Sequence, residues 1–319
     1  MKKPNCAAGV GLAVLVILTV GCEQERPVAP PQFSVRLLTS PNVSGRWEAA
    51  AERGLGLIAA ELDADVARRR VDDGPQGQGQ LTAEGRQGVD LVFCIGGGFE
   101  KVLYAEAAAY PETIFVLLPG RARAANVAGI EFLPEGAGYL AGVVAATIVP
   151  APRAGLLRGV GGPWLEALER GFGAGFGAHH RRAVVETEHG VEGVWALNVT
   201  DVNVALYASD GPEPGVMEAA REAGVRLIVT DPRLMTDFPD TVVAAVDIDV
   251  AEAMLRVARE VRDGTFVGQV YSFDLGSGIL DVTVNSELDP ALLEAATVAM
   301  EEARAEVTAG LIEVDRLGL

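Results

Sequence analysis

The side chains able to do covalent or acid–base chemistry are few, and their spacing suits it poorly. His179, His180 and His189 are the only imidazoles, and they fit neither H-E-x-x-H nor a zinc-finger arrangement. Asp247 and Asp249 could share general acid–base work, but acid pairs are common in a chain with 44 Asp and Glu. They read equally as a solvated loop or as a cap before the next helix. The run Gly171-Phe172-Gly173-Ala174-Gly175 is not G-x-G-x-x-G and sits inside a helical pattern, so it gives no dinucleotide fingerprint. Neither G-x-S-x-G nor G-x-x-x-x-G-K-[ST] occurs. Cys94, within Leu91–Ile95, reads as a small buried hydrophobe. The sequence therefore assigns no catalytic residue, no metal and no cofactor, and it points to a non-enzymatic role.

Polar groups that bind without reacting need a scaffold, and the chain alternates between two kinds of element. Short apolar strands are expected at 33–39, 89–95, 113–118 and 129–132, with a polar one at 65–70. Helices fall between them. Ala51, Leu55, Ile58 and Leu62 line one face of the first helix, with Ser44 as its candidate cap. Residues 74–79 read as a flexible connection and 81–85 as at most a helical turn. The pattern restarts after Phe132–Pro150, a turn followed by a helix of small residues. Strands are expected near 154–157, 183–187, 202–208, 225–230 and 241–246, with β-prone runs over 271–284 and a last short strand at 311–314. Helices are expected at 164–177, where four glycines weaken the tail, and at 215–223, 252–262 and 290–309. Two such βα halves form parallel sheets covered by helices on both faces. The loops after the strands then gather at facing edges, at 40–48, 96–99, 119–124, 158–163, 208–214, 230–238 and 246–249. Gly96-Gly97-Gly98 marks a tight turn or a close approach.

The amino terminus carries a different message. Met1-Lys2-Lys3, an uncharged run from Ala7 to Val20 and then Gly21-Cys22 describe an export signal too short to span a bilayer. Leu18–Cys22 resembles a bacterial lipobox, which predicts cleavage after residue 21 and lipidation of Cys22; an ordinary secreted protein is the alternative. The acylated Cys22 would hold the protein on a bilayer without spanning it. Residues 22–32, proline-rich and without periodicity, form the tether. Loss of residues 1–21 leaves 24 Lys and Arg against 44 Asp and Glu, a formal charge of −20. Such a field repels nucleic acid. With Cys94 the only thiol left, no internal disulfide can form, and stability rests on the core.

Gly88–Val92 with its glycine turn, Tyr110–Val116, Phe132–Ala145 and Gly215–Ala220 together resemble the basic membrane protein family of ABC-transporter substrate-binding lipoproteins, which includes purine-nucleoside receptors. The resemblance implies a type I periplasmic-binding-protein fold: two Rossmann-like lobes, three hinge crossings and a central cleft. It places the first lobe at 33–149 plus about 247–272, and the second at 150–246 plus about 273–319. It implies a monomeric receptor on the extracytoplasmic side of the cell envelope, with a small-molecule ligand and an ABC permease and ATPase as partners. A ligand sensor or regulator on the same fold is the alternative.

The family's nucleoside binders carry a serine–phenylalanine–asparagine run after the first strand, whose ring stacks on the base. The matching run here is Val43–Glu48, so Trp47 takes the stacking position and Glu48 replaces the amide. Asp231 matches the acidic residue on the sugar hydroxyls, Asp247 falls where the family has lysine, and Asp210 lies in a replaced turn. With Gly97, these form the expected ligand shell. The carboxylates would suit a neutral polyhydroxylated solute or a cation. Read alone, Trp47 is equally a packing aromatic at a helix start, and Asp231, before Pro232, a turn aspartate. Trp164 either faces the cleft or anchors its helix.

Overall fold

Continuously apolar runs such as Leu91–Ile95 and Ile114–Leu118 can be buried on both faces only inside a sheet, and that is where they lie. The computed structural model describes residues 32–43, 45–72, 74–149, 151–180, 184–211 and 213–314. The export signal, Cys22, nearly all of the tether and Ser44 lie outside the described residues. Among the described residues no helix is long and apolar enough to cross a membrane.

In chain order the first half comprises β1 (Ser34–Thr39), α1 (Gly45–Leu62), β2 (Asp65–Arg70), α2 (Pro75–Gln87), β3 (Leu91–Ile95), α3 (Phe99–Glu106), β4 (Ile114–Leu118) and β5 (Val127–Phe132). Helix α4 (Glu135–Ile148) leads to β6 (Arg153–Arg158), α5 (Pro163–His179), β7 (Val184–His189), α6 (Gly190–Val199), β8 (Val204–Ala208), α7 (Val216–Ala223), β9 (Arg226–Val229), α8 (Arg233–Asp237) and β10 (Val242–Ile248). The chain ends with α9 (Val250–Arg262), β11 (Val270–Phe273), β12 (Leu280–Val284) and α10 (Pro290–Thr308).

These strands form two six-stranded sheets, ordered β11-β5-β4-β3-β1-β2 and β12-β10-β9-β8-β6-β7. All pairs are parallel except β10 with β12. The strand order reverses beside β1 in one sheet and beside β6 in the other. In open α/β sheets such reversal points leave a crevice beyond the carboxyl ends of the strands. The chain passes between the sheets three times: after β5, between β10 and α9, and between β11 and β12. The fold is thus a two-lobed periplasmic-binding-protein fold with a central cleft.

Helix α4 corrects the lobe boundary expected at 149. It packs in parallel against α5, against α10, and on β10 and β12 of the second sheet, so the first crossing precedes it, at Leu133-Pro134. The reason lies in four glycines. A Cβ on Gly138 would stand 2.1 Å from the Leu168 carbonyl oxygen, and one on Gly142 2.2 Å from that of Phe172. From the other side, Gly171 and Gly175 would each meet α4 backbone oxygens, those of Glu135 and Tyr139, at 2.0 Å. Only hydrogen at these positions lets the two backbones meet, where Cα–H···O contacts add to the packing. Gly171 and Gly175, two of the four glycines expected to weaken the tail of α5, are what dock it.

Two further expectations change. Pro75–Gln87 form a true helix, α2, with Pro75 in its first turn. Its Leu81 is buried in the core, while Glu84 is buried against Arg36 and Arg69. Residues 311–314 do not form a strand, and Ile312 and Val314 rest half-buried on the core. Helix α6, not expected from the sequence, buries Val194 and Leu197 against the second sheet. Cys94 is fully buried, and burial pushes its thiol well above the ordinary range, consistent with a core residue.

Gly175→Ala forces the α4 and α5 backbones apart and is expected to cost about 3 kcal/mol, lowering the melting temperature by about 8 °C. Gly56, inside α1, has open space where its Cβ would be. Gly56→Ala should instead raise stability by about 1 kcal/mol. Equal melting temperatures for the two variants would refute the close-packing account.

Candidate ligand-binding site

The apolar stripe of α1 extends one turn towards its start, because Trp47 precedes Ala51 by four residues and lies on the same buried face. That turn follows β1 at the crevice, so the indole is held at the floor of the cleft. Its ring lies 5.6 Å from that of Phe132, the last residue of β5, tilted by 40°. Trp164, in the first turn of α5, meets it edge-on at 6.0 Å. Aromatic pairs favour such offset and edge contacts.

Asp210, just after β8, ties these rings together. Its Oδ1 accepts the indole N–H of Trp47 and that of Trp164, each at 2.9 Å. Its Oδ2 accepts the Gly162 backbone N–H at 3.2 Å. Trp47 belongs to the first lobe, and Asp210 and Trp164 to the second, so one carboxylate bridges the cleft. Hydrogen bonds to an ionised acceptor contribute about 1.5–3 kcal/mol each.

Two cavities meet at Trp47. The larger, about 700 Å³, lies between the two reversal points of the sheets. Gly97 and Phe132 contribute from one lobe, and Val160, Trp164 and Asp210 from the other. The smaller, about 270 Å³, is bounded by Arg46, Trp47 and Arg53 of α1 and, opposite, by Asp231, Arg233 and Asp247. Each of the seven loop segments expected to form the ligand shell contributes to one cavity or the other.

The six shell residues are not equivalent. Trp47, Gly97, Asp210, Asp231 and Asp247 all line the cavities. Glu48 does not: it turns toward β2, where Arg68 and Arg70 stand 3.7 and 3.4 Å from its carboxylate oxygens. On α1 the cleft is lined by Arg46, Trp47, Ala49, Ala50 and Arg53, and Glu48 lies on the side that meets β2. Asp231 is buried and held by a two-pronged pair with Arg233, at 3.0 Å to Nε and 2.7 Å to Nη2. Burial alone would raise its carboxyl, but the Arg233 bonds outweigh it and hold the group below the usual carboxylate value. Asp247 accepts the Ile248 N–H at 2.9 Å.

Arg46 is the residue that sequence reasoning passed over. Its guanidinium lies over the Trp164 ring, 5.7 Å from the centroid, a cation–π contact. Burial lowers its proton affinity, opposed by the fields of Asp231, Asp247 and Asp210. It stands next to Trp47 in the run matched to the family's stacking motif, which was the available signal.

The family described as ABC transporter substrate-binding protein PnrA-like matches residues 79–314, well over half of the chain. The chain belongs to that family. Among its relatives, the transcriptional activator protein med of Bacillus subtilis is 24% identical over 218 residues, covering 64% of this chain and 66% of that protein. Basic membrane protein A of Borreliella burgdorferi is 22% identical over 218 residues, covering 63% and 64%. The chain thus spans just under two thirds of the length of these relatives. Two solved structures share the fold. An ABC transporter solute-binding protein from Aeropyrum pernix K1 has a TM-score of 0.71 at 20% identity, covering 88% of this chain and 92% of that one. A transcriptional activator of the comK gene from Bacillus halodurans has a TM-score of 0.74 at 22% identity, covering 85% and 97%.

Asp210→Ala leaves both indole N–H groups without their acceptor and removes the bridge between lobes. The tryptophan emission maximum should move several nanometres to longer wavelength as Trp47 and Trp164 gain water; unchanged emission would mean that the bridge does not hold the cleft shut. Because the folded Asp231 carboxyl is depressed, its pairing stabilises the protein above the unfolded value of about 3.9. That stabilisation is lost as pH falls through the still lower folded value. Asp231→Asn should therefore lower the melting temperature by about 3 °C at pH 7, with the gap from wild type narrowing below about pH 4. A gap independent of pH would contradict the pairing.

Proposed function

We propose that this protein is an extracytoplasmic receptor that closes its two lobes on a small molecule and delivers it to an ABC importer. The observation that carries this is the cleft itself: a 700 Å³ cavity walled by both lobes, beside a hydrogen bond from Trp47 of one lobe to Asp210 of the other. A solute gripped by both lobes stabilises the closed arrangement and shifts the population toward it. A permease can then read lobe closure. Membership of the PnrA-like substrate-binding family supports the same reading, as does the likeness to a basic membrane protein. Lipid attachment at Cys22 would keep the receptor at the membrane face where the importer works.

A second reading has its own support. One relative is named a transcriptional activator, and so is one of the similar structures. On this reading the same closure reports the solute to a regulatory partner. Deleting the gene separates the two: loss of solute uptake supports transport, whereas intact uptake with altered gene expression supports sensing.

Trp47 lines both cavities, so Trp47→Ala should weaken solute binding at least tenfold in calorimetry while leaving a cooperative unfolding transition. Unchanged affinity would place the solute elsewhere and sink the receptor reading at this cleft.

A further inference from the structure

Four carboxylates were expected to make the cleft suit a neutral or cationic solute, and three of them are already engaged within the protein. Glu48 faces Arg68 and Arg70 outside both cavities. Asp210 accepts two indoles and a backbone amide. Asp231 is neutralised by Arg233. In the smaller cavity this leaves Asp247, which accepts only the Ile248 amide among the described residues.

Against it stand two arginines of α1 whose guanidinium groups have no protein acceptor among the described residues. Arg46 forms no ion pair among the described residues, and its Nη1 is buried without a hydrogen-bond partner. Arg53 likewise has no protein acceptor among them, but it is exposed and hydrated. The desolvated donor is thus that of Arg46, and Arg53 adds a second positive charge at the rim. The two lie seven residues apart, about 10 Å along the helix axis, and share one face with Ala49 and Ala50 between them. The small alanines leave the space open. Nearby aspartates bias Arg46 electrostatically, yet none reaches it. A desolvated guanidinium without a partnered anion is costly, and its planar fork of donors matches carboxylate or phosphate oxygens.

We infer that the smaller cavity is an anion subsite: the solute bears a carboxylate or phosphate held by Arg46 and Arg53, and a hydrogen-bond donor that meets Asp247. This rests on the receptor reading above and names the class of solute. An anionic group supplies the acceptor that buried Arg46 Nη1 lacks, and Arg53 adds a second charge within reach of it. A flat apolar body suits the wall of Phe132, Trp47 and Trp164 in the neighbouring cavity.

Calorimetry on the purified protein tests it with two matched pairs, adenosine with adenosine 5′-monophosphate and tryptamine with indole-3-acetate. At least one anionic member should bind tenfold or more tightly than its partner, and which one does separates phosphate from carboxylate. Arg46→Gln and Arg53→Gln should each reduce that preference at least fivefold. The solute released from the protein on denaturation, identified by mass spectrometry, should carry the same charged group. A neutral or cationic solute, tighter binding of the uncharged or cationic members, or a preference that survives both substitutions overturns the anion subsite and leaves the receptor standing. No released solute and no binding by any of the four compounds counts against both.

Discussion

The backbone contact between α4 and α5 governs the rest of the molecule. Gly138 and Gly142 on one helix and Gly171 and Gly175 on the other let the chains approach to distances no Cβ would tolerate. That contact fixes α5 along its axis, and α5 opens with Pro163 and Trp164 at the cleft. It also fixes where the chain leaves β5, and Phe132 is the last residue of β5. The wall against which Trp47 rests is therefore set by a helix pair that lies wholly in the other lobe. Interiors packed this densely do not deform continuously, so movement between lobes is confined to the three crossings.

At the cleft, charge is arranged more economically than a count of acidic residues implies. The chain is strongly acidic, with a formal charge of −18, yet the carboxylates at the cavities are mostly committed to partners. Asp210 serves as a clasp between lobes, and Asp231 serves Arg233. The guanidinium of Arg46 lies over an indole face and faces three aspartates without pairing to any. A ligand entering such a site competes with internal partners for some groups and completes others. Selectivity then follows from which groups are left incomplete and not from net charge. The inter-lobe hydrogen bond of Trp47 also means that closure has a component supplied by the protein itself, to which a solute adds.

Much of this was legible in the sequence, for reasons particular to each element. The strands Leu91–Ile95 and Ile114–Leu118 are apolar at every position, and the stripe of α1 repeats at helical spacing, so burial left a direct mark. The lobe pattern and the loops at the facing edges followed from alternation alone. Helix α2 was hidden because Gly77, Gly79 and Gly85 lower its intrinsic propensity. Two of them instead make room for neighbours, the ring of Phe99 at Gly77 and that of Tyr110 at Gly85. The last four described residues are β-prone in composition but have no strand to pair with.

What the sequence determined by itself was the class of architecture and the loops that meet at the cleft, because hydrophobic period and glycine turns are local signals; the family came from the resemblance of its motifs. What only the tertiary structure decided was which side chains of those loops face inward and which are free. Glu48 and Trp47 are neighbours in the chain and point to different partners. Asp231 and Arg233 cancel one another, whereas Arg46 and Arg53 find no carboxylate among the described residues. Pairing of charges depends on distances across the fold, and linear order carries no record of them.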